Sequence, residues 1–122
     1  MTIQEISVLI NHSEFIRLEL EKPIDIDISI VETEGRFFVR QYKFGKRSWY
    51  DAFLEDPNGS IKCSDTIIKI NGVVPIDLDE INPLVTKAFK KKYGIIYSIM
   101  KLGFDTKKHE ASTLELVPIQ LD

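Results

Sequence analysis

This chain is short of the residues on which most recognisable chemistry is built. Of its 122 residues one is a cysteine, Cys63, and two are histidines, His12 and His109. A single cysteine excludes an internal disulfide and, with two histidines, leaves too few soft ligands for a structural zinc site, so no metal is expected. It also suits a reducing compartment. Positive charge is not in excess either: 16 Lys and Arg against 19 Asp and Glu give a formal charge of −3. No general field draws such a chain to nucleic acid or to an anionic membrane, and neither is expected as a partner. No apolar run approaches membrane-spanning length, and Met1-Thr2-Ile3-Gln4-Glu5 lacks the basic segment and apolar core of a signal peptide. The expectation is a cytoplasmic protein. Repeats, linkers and low-complexity tracts are absent.

What is present is a globular composition, 43% hydrophobic and 29% charged, of a size that buries one core. A single domain over residues 1–122 is expected. Thr2 and Glu5 fit a capping box ahead of Ile3, Ile6 and Ile10, which predicts a short helix. From Glu14 the period falls to two, with Ile16, Leu18 and Leu20 opposite Arg17, Glu19 and Glu21. Alternation from Ile24 to Ile30, a turn at Thr33-Glu34-Gly35 and a return from Arg36 to Tyr42 predict a hairpin. A two-turn helix carries Trp49, Tyr50, Phe53 and Leu54 and ends at Asp56-Pro57-Asn58-Gly59. Strands follow over 60–64 and 66–76, the second with a glycine bulge at Asn71-Gly72. Asn82-Pro83 reads as the start of a helix with Leu84, Val85, Ala88 and Phe89 inward and Lys90, Lys91 and Lys92 as a solvated, dipole-matched end. Residues 95–104 fit either a short helix or a lid. Thr113 to Ile119 closes the chain as a strand whose Pro118 suits a sheet edge. So many hairpin strands in so short a chain must curl, and the predicted fold is mainly β with short helices (α+β): a small antiparallel barrel with peripheral helices.

The functional clue is Phe44-Gly45-Lys46-Arg47-Ser48-Trp49-Tyr50. A strand hands over there, through a glycine and two cations, to a helix opening on serine. Lys46, Arg47, the Ser48 hydroxyl and the first helical N–H groups together suit an anion such as a phosphate. The alternative is a solvated turn. Arg40, on the face opposite Phe37 and Val39, reaches either a ligand along the barrel or an exposed carboxylate. Trp49 and Tyr50 either border an aromatic ligand or anchor the core, and Tyr93 and Tyr97 either give polar handles to a pocket or dimer interface or are simply buried. Asp25 and Asp27 read as a solvent face, Asp77, Asp79 and Glu80 as a polar lead-in, His12 and His109 as surface loop residues, and Cys63 as a small buried hydrophobe.

Phe38-Val39-Arg40, Trp49-Tyr50, Gly59-Ser60-Ile61-Lys62, Ala88-Phe89-Lys90-Lys91-Lys92-Tyr93-Gly94 and Ala111-Ser112-Thr113-Leu114-Glu115-Leu116-Val117-Pro118 occur in an order and spacing that resemble a family of small bacterial proteins, domain of unknown function 2255. The resemblance runs from Ile24 to Ile119. That family is in turn similar to flavin-binding split β-barrels of the deazaflavin-dependent nitroreductase type, where a Trp-Tyr helix follows a basic, glycine-containing turn. The resemblance implies a split barrel, a homodimer and a cofactor, FMN or a deazaflavin, held between subunits. Arg40, Lys46, Arg47, Ser48, Trp49 and Tyr50 are the cofactor-binding candidates, and catalytic residues are not assigned. Two functions follow as expectations: an oxidoreductase acting on a small molecule, or a split-barrel dimer without catalysis serving as an interaction or small-ligand-binding module.

Overall fold

The computed structural model describes residues 2–12, 16–20, 25–40, 49–63, 66–95 and 106–119. The elements run α1 (Ile3–Asn11), β1 (Ile16–Leu20), β2 (Asp25–Ile28), β3 (Ile30–Thr33), β4 (Arg36–Val39), α2 (Trp49–Glu55), β5 (Asn58–Cys63), β6 (Thr66–Val73), α3 (Leu78–Tyr93), α4 (Thr106–Ala111) and β7 (Leu114–Pro118). The fold is α+β, an antiparallel split barrel with short helices around it. Seven strands lie in the order β2-β1-β5-β6-β7-β4-β3, and every neighbouring pair is antiparallel.

The two ends of that order are consecutive in the chain. β2 stops at Ile28 and β3 starts at Ile30, with Ser29 alone between them. One stretch of chain therefore pairs through its first half with β1 and through its second half with β4, which rolls the sheet into a barrel. The expected hairpin accordingly involves only the second half. Its loop is two residues long, and Glu34 and Gly35 have φ of 55° and 74°, the sign that tight hairpin turns demand at both positions.

Alternation sorts the strands into two cores. Ile16, Leu18, Ile28, Ile30, Phe37, Val39, Ile61, Cys63, Ile68, Ile70, Leu114 and Leu116 fill the barrel, closed over by Ile6 and Ile10 of α1 and Phe53 of α2. Val31 and Phe38 point the other way and pack under Ile81, Val85 and Phe89 of α3. The capping box of α1 is formed as expected: Glu5 N–H donates to Thr2 Oγ1, and Thr2 N–H to Glu5 Oε1, both over 3.2 Å.

Five expectations are corrected. Gly72 makes no bulge, since β6 keeps one register through it against β7 and pairs with β5 in unbroken register up to Asn71. It is needed because a Cβ there would stand 2.6 Å from the Phe53 ring. α3 begins at Leu78, and Pro83 lies inside it. The spacing of buried Ile81, Val85 and Phe89 explains this, because Ile81 shares their face only if the helix already includes it. Leu84, expected inward, is 39% exposed, as is Leu54 of α2 at 56%. β7 is an interior strand, and Pro118 is tolerated because β4 pairs only as far as Leu116.

Candidate functional site

The candidate site begins where β4 ends. Phe37 and Val39 face the barrel, so Arg36, Phe38 and Arg40 face outward, and that outer face is covered by α3. Arg40 is consequently 2% exposed. Its guanidinium donates from Nε to Thr113 Oγ1 at 2.9 Å, from Nη1 to Thr86 Oγ1 at 2.8 Å, and from Nη2 to both the carbonyl and Oδ1 of Asn82 at 3.0 and 2.9 Å. The Phe89 ring lies 5.6 Å below it. Asn82 completes the cluster by donating Nδ2 to the Glu110 carbonyl at 3.1 Å and accepting from the Thr113 hydroxyl at 2.7 Å. Arg40 thus ties β4 to α3 and to the turn before β7, and the partners named here are hydroxyls and an amide rather than an exposed carboxylate. The signal in the sequence was Phe38, whose apolar ring on Arg40's own face marks that face as covered.

Lys46, Arg47 and Ser48 lie outside the described residues, and so does the Trp49 side chain, although Trp49 opens α2. Tyr50 is half-buried and packs against the barrel core, the anchoring role that was one of its two readings. The structure therefore engages Arg40 and Tyr50 in packing within the chain. The Arg40 donors named here are directed into the fold. Among the described residues no group of three or more His, Cys, Asp or Glu is placed to hold a metal ion.

Three further polar residues differ from expectation. Lys92 is not a solvated member of the lysine run: its ammonium donates to the carbonyls of Ile10, 2.9 Å away, and Ile30, 2.6 Å away. It brings a cation to the carboxyl end of α1, whose own last turn has none. His109 is fully buried on α4, its ring tilted against Phe89 at 6.3 Å. Asp77 belongs to a clamp. Arg36 forks onto it at 2.9 and 3.0 Å and reaches Glu115 at 2.8 Å, so hydrogen bonding from the guanidinium holds the Asp77 carboxyl below its usual range and the Arg36 pKa above its usual range. Cys63 is buried in the barrel, as expected, and burial pushes its thiol pKa up, against a smaller opposing effect of Lys92.

No family model matches the chain, so the resemblance to domain of unknown function 2255 is not confirmed. No curated protein matches it either. Among solved structures, a Listeria innocua protein provisionally named pyridoxamine 5'-phosphate oxidase superposes with a TM-score of 0.64 at 12% identity, covering 97% of this chain and 94% of that one. A FAD-binding protein from Mesorhizobium loti superposes with a TM-score of 0.63 at 10% identity, covering 98% and 91%. Identities this low carry fold and not function: over almost its whole length, the chain has the split-barrel architecture of those proteins.

Proposed function

We propose that this protein binds a flavin-type cofactor, FMN or a deazaflavin, and uses it to reduce a small molecule, as a homodimer. The supporting observation is the near-complete superposition on a FAD-binding protein. The basic stretch at Lys46 and Arg47, six residues beyond the Arg40 anchor, agrees with it. When bound, the flavin supplies the hydride chemistry. The chain supplies Lys46, Arg47 and Ser48 for a phosphate, and Arg40 holds the end of β4 from which that stretch departs. The test is the visible spectrum of the purified protein together with its melting temperature in FMN, FAD and a deazaflavin. A ligand that binds only the folded state must raise the melting temperature. No shift with any of the three overturns the proposal.

The second reading, a split barrel without catalysis, draws on the engagement of Arg40 with Asn82, Thr86 and Thr113, which removes one cation from the list of cofactor ligands. Replacing Lys46 and Arg47 together by alanine separates the readings. Weaker flavin binding with unchanged melting of the ligand-free protein assigns them the site, and unaltered affinity clears them.

A further inference from the structure

The outward side of α3 carries charges that have no ion-pair partner among the described residues. Asp79 and Glu80 are exposed in its first turn, and Lys87, Lys90 and Lys91 are exposed toward its end. Ion pairs along a helix form between residues three or four apart, but the positions four beyond Asp79 and Glu80 hold Pro83 and Leu84. Glu80 and Lys87, the nearest acid and base, are seven residues apart, about 10 Å along the axis. The helix dipole accounts for acids at the start and lysines at the end. It does not account for the apolar residues left uncovered along the same stretch: Ile76 just before the helix is fully exposed, Leu84 at its middle 39% and Ile95 just after it 75%.

Read from 76 to 95, the stretch runs apolar, acidic, apolar, basic, apolar, an order that becomes its own complement when reversed. We propose that α3 pairs antiparallel with α3 of a second copy. A two-fold axis near residue 85 sets Asp79 and Glu80 of one chain against Lys91 and Lys90 of the other, brings the two Leu84 side chains near the axis, and places Ile76 of one copy toward Ile95 of its partner. A two-fold interface requires such self-complementarity. One helix face is a small interface, so the association is weak and, being charge-paired at an exposed surface, salt-sensitive. The argument is independent of flavin binding and gives the proposed homodimer a defined surface.

The test is the mass of the full chain by light scattering, with three charge variants checked for folding by circular dichroism. Wild-type protein is expected to have twice the chain mass at low salt and to dissociate at high salt. D79K/E80K and K90E/K91E are each expected to be monomeric alone and to regain the doubled mass when mixed, because opposite faces then meet. D79N/E80Q, which keeps helix-compatible residues, is expected to weaken the dimer if the reversed variants fail to fold. A wild-type monomer overturns both this interface and the homodimer. A dimer indifferent to all the substitutions overturns the interface alone, and either result leaves the melting-shift test for flavin as it stands.

Discussion

Arg40 shows how one side chain changes meaning once its surroundings are known. On a strand its alternate position left ligand contact and solvent exposure equally open. Beneath α3 it is a buried fork whose donors are directed to Asn82, Thr86 and Thr113. Arg40→Ala should therefore destabilise the protein by about 2–4 kcal/mol in urea unfolding, through the cavity and the hydrogen bonds lost. A residue whose role is ligand contact alone would leave unfolding unchanged and weaken flavin binding only. Gly72→Ala should cost about 1–3 kcal/mol, since the added methyl must displace the Phe53 ring. The same change in a Phe53→Leu background should cost less, and equal costs in the two backgrounds would show that the ring is not what excludes the methyl. The Asp77 carboxyl titrates at a lower pH folded than unfolded, so the folded state is favoured above the unfolded value and that contribution disappears as pH falls through the folded one. Asp77→Asn should flatten the acid limb of the stability profile, measured by melting between neutral and acidic pH.

At the scale of elements, what was legible was what is local. The capping box of α1 needs only Thr2 and Glu5, and the hairpin turn needs only Glu34 and Gly35, so both could be read along the chain. The start of α3 could not, because Asn82-Pro83 is a strong local start that packing overrules: Ile81 must join Val85 and Phe89 under the sheet. Asn82, freed from capping, becomes the acceptor for Arg40 and Thr113. Lys92 was illegible for the same reason, since its partners at Ile10 and Ile30 are 82 and 62 residues away. It is the cation that holds α1 onto β3 beside α3. Lys92→Met keeps the stem and removes the charge. We expect it to speed hydrogen exchange of the α1 amides and to lower stability by about 1–3 kcal/mol, the cost of leaving part-buried carbonyls short of a donor. Uniformly faster exchange across all helices would instead indicate a global effect unrelated to α1.

At the scale of the whole molecule, a curled antiparallel sheet could be inferred from strand number and length alone, whereas its order could not. The order depends on long-range pairings such as β1 with β5 and β6 with β7, which leave no trace in the spacing of neighbouring residues. The candidate corner is a reading of residue chemistry alone: Lys46, Arg47 and Ser48 are the residue types an anion requires, and they lie outside the described residues. What they face depends on the same long-range geometry. No helix of the described structure is long and apolar enough to cross a membrane.

The seam at Ser29 has a consequence for how the chain survives among its neighbours. Each outermost strand is only four residues long, and the two are halves of one segment anchored on opposite sides. A foreign strand seeking an open row of N–H and C=O groups finds each row ending at the seam, and short margins of this kind give fibril growth little to copy. Freeing either margin means pulling against the other, so the amides between Asp25 and Thr33 that are bonded to β1 or β4 should open to proton exchange only when the entire barrel does.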